Sequence, residues 1–250
     1  MGMMFMEAIV LAGGKEKKAL KLLEGKPILS YVLDAFLSSR YIDKIFVVGD
    51  GLPLPESEKI VSIPEGKDFI DNLLRGMERC QGEYVLVSSA DLPFLTPTTI
   101  DKFIEKALPL KADFAYPTVS KEVFQRKAPD IDKTFVVLKE GKFAGGNVVL
   151  LNREFVLKKR DVIEKAYEVR KSPLKIAFFL GFEFFIRFLL QQVGIPALTL
   201  SQVERLMSRA LKGKIRSVLV DFPHLSADID DEKDFQWALE RLKNTPPILE

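Results

Sequence analysis

The chain has 250 residues, 47% of them hydrophobic and 29% charged, the make-up of a globular protein long enough to bury a full core. Its formal charge of +2 is small, so a general attraction to nucleic acid is not indicated and any basic site must be local. A single cysteine, Cys80, and a single histidine, His224, exclude an internal disulfide framework, a cysteine-rich zinc site and a multi-histidine metal centre.

Met1 to Met6 is apolar but short and has no basic start, so it does not read as a signal peptide, and a cytoplasmic location is expected. Ala8 to Ala12 is a short apolar run that predicts a buried strand. Gly13 and Gly14 follow it, then lysines at 15, 17, 18 and 21. Backbone donors left open by glycine, next to local positive charge, suit a polyphosphate. The turn is neither a Walker A loop nor a dinucleotide fingerprint, because the Gly-Lys-Ser/Thr ending and the third glycine are missing. An exposed, solvated lysine loop is the alternative.

Pro27 opens a helix with Ile28, Tyr31, Val32, Ala35 and Phe36 on one face. Ile45 to Gly49 and Ile60 to Ile63 read as strands. Gly66 to Gln81 reads as a helix with Phe69, Ile70, Leu73, Leu74 and Met77 inward, and Cys80 packing at its end. Tyr84 to Asp91 is the clearest strand, bounded by Gly82 and Pro93 and ending on an acid. This alternation of strands and helices predicts a mostly parallel α/β sheet with helices on both faces, where ligands gather at the carboxyl ends of strands. Gly13-Gly14 and Asp91 both fall at such ends.

A helix from Thr96-Pro97 to about Leu108 and a strand from Ala112 to Val119 come next. Thr134 to Leu138, a Glu140-Gly141 turn and the arm from Lys142 predict a β-hairpin insertion, leading into Gly145-Gly-Asn147 and a strand from Val148 to Leu151. Residues 155–215 read as mostly helical. Within them Ile176 to Leu190 is the most apolar segment. It is shorter than the roughly 20 residues a membrane span needs, and Glu183 and Arg187 are spaced for a helical ion pair. A buried helix is expected, with an interfacial membrane helix or a pocket wall as the less favoured readings. Gly194-Ile-Pro196 should end it. Ser201 should cap the next helix, with Glu204 completing a capping box. Val218 to Val220 is a last strand. A final helix from about Glu232 to Leu242 offers Phe235, Trp237, Ala238, Leu239 and Leu242 to the core.

Magnesium takes hard oxygen ligands, typically one or two carboxylates with phosphate and water. Asp91 at a strand end suits it, though the same residue could cap a turn. Asp228 and Asp230 are candidates for a second ligand, sharing one face of an extended segment, and either could instead be a helix cap.

Five stretches occur in a telling order: Leu11-Ala-Gly-Gly14, Lys18-Ala-Leu20 with Gly25-Lys-Pro27, Ser89-Ala-Asp-Leu-Pro-Phe-Leu-Thr96, Gly145-Gly-Asn147 and Asp228-Ile-Asp230. In this the chain resembles the MobA-like NTP transferases, the nucleotidyltransferase family that includes molybdenum-cofactor guanylyltransferase, over roughly 1–155 and 215–243. The resemblance implies one domain over 1–250, a Rossmann-like sheet of the nucleotide-diphospho-sugar transferase type, and a helical insertion at about 155–215 before the last strand. It implies that Leu11, Ala12, Gly13, Gly14 and Lys18 hold the nucleotide and its phosphates, and that Asn72 reaches base or ribose. It further implies Asp91 and Asp230, with Asp228 as the substitute for the latter, as magnesium ligands, Lys18 and Asp91 as catalytic, and Gly145, Gly146 and Asn147 as the acceptor side. The implied partners are a nucleoside triphosphate and a phosphorylated small-molecule acceptor. Relatives carry a Ser-x-Arg-x-Gly piece where this chain has Lys15-Glu-Lys17, and a lysine lacks the arginine fork. That departure leaves open a nucleotide-binding regulatory protein with weak or no turnover.

Overall fold

The computed structural model describes residues 6–14, 17–129, 133–169, 172–192 and 197–244. Strand β1 (Met6–Leu11) leads through a small hairpin, β2 (Leu22–Leu23) and β3 (Lys26–Pro27), into helix α1 (Ile28–Leu37). Then come β4 (Ile42–Val48), β5 (Ile60–Ile63), α2 (Phe69–Arg79), β6 (Tyr84–Ser89), α3 (Pro97–Ala107) and β7 (Phe114–Ser120). A helix absent from the sequence reading, α4 (Lys121–Lys127), follows, where Ser120 Oγ accepts from Val123 N–H and so caps its start. The hairpin β8 (Val136–Leu138) and β9 (Gly141–Gly145) then leads to β10 (Val148–Asn152). Helices α5 (Arg153–Lys158), α6 (Arg160–Val169), α7 (Pro173–Leu180), α8 (Phe182–Gln192) and α9 (Leu200–Leu211) precede β11 (Ile215–Val220) and α10 (Glu232–Asn244).

Among the described residues nine strands form one sheet in the order β5-β4-β1-β6-β10-β7-β9-β8, with β11 on the other side of β7. The pairs β1/β4, β1/β6, β4/β5 and β7/β11 are parallel. Strand β10 runs antiparallel between β6 and β7, and the hairpin is antiparallel throughout. The sheet is therefore mixed but mostly parallel, as expected. Alternation along β1 separates the two faces: Ala8, Val10 and Ala12 join one core with Phe36 and Phe103, while Ile9 and Leu11 join the other with Met77.

Four local expectations need correction. Phe69 does not point inward; it is 41% exposed and stacks on Tyr167 of α6, ring centroids 4.7 Å apart. The apolar 176–190 stretch is not one buried helix, because the chain turns at Gly181 (φ 99°), a conformation that favours glycine, and splits into α7 and α8. Both present apolar side chains to solvent, Phe178 at 71% exposure. Ser201 is not the cap of α9: Thr199 Oγ1 accepts from Gln202 N–H, and Gln202 Oε1 accepts from Thr199 N–H. Glu204, freed from that box, accepts from Ser217 N–H of β11 at 2.7 Å. Pro27 immediately precedes α1 as its cap residue and is not its first helical residue.

The Glu183–Arg187 pair forms at 3.5 Å, and Glu183 also meets Arg205 at 2.8 Å, fastening α8 to α9. Gly194-Ile-Pro196 and Lys15-Glu16 lie outside the described residues. Cys80 is buried at the end of α2, and burial, then the charge of Glu7, push its thiol up to about 12. Among the described residues no helix is long and apolar enough to cross a membrane.

His224 lies in a 3₁₀ turn, Pro223–Ser226, and is 5% exposed. Burial first, then the charges of Lys127 and Arg241, lower it to about 4 from the ordinary 6.5. Its folded value lies below its unfolded one, so the unfolded chain takes the proton first and stability is lost as pH falls through that window. The loss for this one group is about 3 kcal/mol. Thermal unfolding of wild type and His224→Gln between pH 7 and pH 4 should show the wild type losing more stability than the variant; equal slopes would refute a buried neutral imidazole.

Candidate active site

The site is built at the carboxyl ends of β1 and β6. Leu11 and Ala12 turn their side chains into the two cores, and Ala12 N–H is taken by the Val48 carbonyl at 2.9 Å. What they give the edge is the position of the next two residues. Gly14 has φ 133°, which a side chain would strain. Its N–H donates to Glu65 Oε1 at 2.6 Å. A side chain on Gly13 would collide with Glu65 and Asn72.

Asn72 is 4% exposed in the first turn of α2, and its Oδ1 accepts from Gly66 N–H at 2.6 Å. Asp68 accepts from Asp71 N–H, and Asp71 from Lys67 N–H. The loop 64–68 is thus fixed against the glycine turn by side chains of its own helix. Lys18 sits in a 3₁₀ turn, Lys18–Leu20, entered through Lys17 in the left-handed conformation (φ 42°). Its Nζ reaches Asp230 Oδ1 at 3.2 Å. Glycine turn and acidic residues therefore meet through Lys18.

Asp91 lies two residues past β6. Its backbone carbonyl accepts from Ile229 N–H at 3.1 Å, and that one bond brings in the segment carrying both other acids. Asp91, Asp228 and Asp230 each offer an oxygen within 4.8 Å of the others. Among the described residues they are the one group of three or more acidic, histidine or cysteine side chains close enough to share an ion. Asp228 and Asp230, held apart as alternatives by sequence, both belong to it. The cap of α10 is instead Asp231, whose Oδ1 accepts from Asp234 N–H at 3.0 Å.

Burial, and after it the charge of Asp228, push Asp91 above the usual carboxylate range, against the nearby Ser89 side chain and then the charge of Lys18. Burial raises Asp228 too, against an ion pair with Lys133. For Asp230 burial is the largest single influence, but the hydrogen bonds with Lys18 and Asp228 and the charges of Lys18 and Lys133 together outweigh it and hold the carboxyl below its usual range. Asp91 Oδ1 is buried with no hydrogen-bond partner among the described residues. Crowded oxygens, two of them on reluctant acids and one orphaned, are a donor set suited to a hard divalent cation.

The Gly145-Gly146-Asn147 link closes the other side. Gly146 N–H donates to Pro117 O at 3.1 Å, Asn147 N–H to Leu225 O at 2.7 Å, and Ser89 N–H to Asn147 O at 3.2 Å. A side chain on Gly146 would come within 2.6 Å of the Leu225 carbonyl, so glycine lets β7, β6 and the 223–226 turn approach. Two residues escaped the sequence reading. Glu65 carried a signal, Pro64-Glu65-Gly66 directly after a strand on the same edge. Lys133 carried none, being one lysine in an irregular stretch.

Comparison with known proteins bears on the family and the fold. The chain is 33% identical over 117 residues to 2-C-methyl-D-erythritol 4-phosphate cytidylyltransferase of Thermotoga neapolitana, covering 40% of this chain and 53% of that protein. It is 29% identical over 156 residues to a probable molybdenum cofactor guanylyltransferase of Methanosarcina mazei, covering 52% and 69%. The chain thus spans about half the length of the cytidylyltransferase it matches. A hypothetical transferase from Thermus thermophilus superposes with a TM-score of 0.81 at 30% identity, covering 93% of this chain and 100% of that one. The cytidylyltransferase of Thermus thermophilus, at 15% identity and a TM-score of 0.54 over 96% of this chain and all of that one, shares the fold. The model of the MobA-like NTP transferase domain matches residues 8–221, and the chain belongs to that nucleotidyltransferase family.

Proposed function

We propose that this protein is a magnesium-dependent nucleotidyltransferase that moves a nucleoside monophosphate from a nucleoside triphosphate to a phosphorylated small-molecule acceptor. The observation that carries the reading is the meeting of Asp91, Asp228 and Asp230 within 4.8 Å, joined through Lys18 to the glycine turn. The named relatives support the class, since one acts on an erythritol phosphate and the other on molybdenum cofactor.

Asp91, Asp228 and Asp230 would hold the magnesium ion, which supplies charge stabilisation on phosphoryl oxygens when bound. The chain's own groups do the rest. Gly13 and Gly14 let phosphate approach backbone N–H groups, and Lys18 neutralises it. Asn72 holds the loop against which base or ribose rests. Gly145, Gly146 and Asn147 wall the acceptor side. An acceptor phosphate oxygen attacks the α-phosphorus in line, a new P–O bond forms, the bond to the β-phosphate bridge breaks and pyrophosphate leaves with the electron pair. The nucleophile is already ionised, so no general base is needed, in keeping with a lone histidine held outside the site.

One observation favours the second reading, a nucleotide-binding regulatory protein without turnover: Glu65 already occupies the Gly14 N–H, and a carboxylate there repels phosphate. Under the transferase reading Glu65 must swing away when the triphosphate arrives.

Pyrophosphate release, measured with magnesium over a panel of triphosphates and phosphorylated acceptors, should fall by about two orders of magnitude or more in Asp91→Asn and in Asp230→Asn. Wild-type release no greater than that of Asp91→Asn would overturn the enzyme and leave the regulatory reading. Glu65→Ala should tighten triphosphate binding by about threefold to tenfold in calorimetry, because a competing charge-assisted hydrogen bond is gone. Weaker binding in that variant would mean that Glu65 holds the nucleotide.

A further inference from the structure

Of the eight large apolar side chains that stand exposed among the described residues, four belong to α7 and α8: Leu174, Phe178, Ile186 and Leu190. Leu174 and Phe178 are one helical turn apart on α7, and so are Ile186 and Leu190 on α8. Phe178 stacks on Phe185, ring centroids 4.9 Å apart, which joins the two helices across the turn at Gly181. A fifth, Phe69, lies against Tyr167 of α6. Single exposed apolar residues are ordinary on a protein surface, but here they are gathered on consecutive helices of one insertion.

Positive charge is gathered with them. Residues 155–215 carry twelve lysines and arginines against five aspartates and glutamates, a surplus of seven in a chain whose net charge is only +2. Along α8, Glu183, Ile186, Arg187 and Leu190 fall in one stripe at helical spacing. Glu183 meets Arg187 at 3.5 Å, Arg205 at 2.8 Å and Arg209 at 3.9 Å, so three guanidinium groups surround one carboxylate in the stripe that carries the exposed apolar pair. On α7 the exposed Lys175 directly follows Leu174 and lies three residues before Phe178.

A second copy seated on this face would have to bring one basic surplus against another. A nucleic acid would meet the charges and leave the apolar side chains in water. A bilayer with anionic headgroups takes both, since apolar side chains enter the acyl boundary while cations stay among the headgroups. Neither helix is long enough to cross it. We propose that the α7–α8 face docks on an anionic lipid bilayer, with Leu174, Phe178, Ile186 and Leu190 entering the interface and Lys175, Arg187, Arg205 and Arg209 facing the headgroups. The inference does not rest on the transferase reading, because these residues lie outside the acid cluster and docking needs no turnover.

The full chain is floated on a density gradient with vesicles of phosphatidylcholine alone, and with vesicles in which about a quarter of the lipid is phosphatidylserine. Flotation with the second kind only is expected, and it should weaken severalfold when salt is raised from about 0.1 M to about 0.5 M. Phe178→Ser with Ile186→Ser should lower the partition coefficient by at least about tenfold, and Lys175→Gln with Arg209→Gln by about tenfold. No flotation, the result that an acidic protein or a nucleic acid as partner would give, overturns the proposal. Equal flotation with both lipids, or flotation unchanged in Phe178→Ser with Ile186→Ser, also overturns it. So does a wild-type dimer in sedimentation equilibrium that this double variant converts to a monomer, because a second copy would then fill the face. Should that variant fail to fold, Lys175→Gln with Arg209→Gln decides, and unchanged flotation in it overturns the proposal.

Discussion

Three carboxylates that repel one another are brought to one edge here, and the direct tie between their two segments is the backbone hydrogen bond from Ile229 N–H to the carbonyl of Asp91. That bond joins the exit of β6 to the chain leaving β11, so the order of strands in the sheet decides that the acids meet. The repulsion is met from two directions. Lys18 comes from the glycine turn and Lys133 from the stretch before the β8–β9 hairpin. Each lysine couples a separate loop to the same charge balance, and only one carboxyl, Asp230, is held below its usual range. Asp91 and Asp228 stay costly to ionise. An arrangement of this kind is a poor way to stabilise a fold and a good way to receive positive charge.

Much of the N-terminal half was legible in the sequence because its central strands, β1 and β6, are largely buried. The unbroken runs Ala8 to Ala12 and Tyr84 to Ser89 suit central strands covered by helices on both faces, and here they pair in parallel with each other. Their ends, glycine in one case and aspartate in the other, then had to share an edge. The helical insertion was harder to read for a related reason. Apolarity between Ile176 and Leu190 suggested burial, yet one glycine redirected the chain, and the fragments on either side were too short to hide all their faces. Nor can sequence rank rival caps two residues apart, as Thr199 and Ser201 show, since either hydroxyl can serve and the geometry of the entering chain decides. The partners Glu65 and Lys133 depend on contacts between loops, which no periodicity encodes.

The glycine turn carries a similar lesson about polar groups. Gly14 N–H is an obligatory donor, and a protein edge that keeps such a donor waiting for a ligand must let something else accept from it meanwhile. Glu65 does so from a loop anchored by Asn72. The anchor matters as much as the contact, for a carboxylate on a slack loop would cost more order than the bond returns.

Strand β10 runs against its neighbours β6 and β7. An antiparallel strand brings its beginning, and not its finish, to the edge where parallel strands finish. Everything inserted ahead of it therefore feeds straight into that edge, while the parallel half is left untouched. Lengthening a surface hairpin adds little entropic cost, so the fold permits the chain ahead of Asn147 to be rebuilt without disturbing the strands that carry Gly13, Gly14 and Asp91.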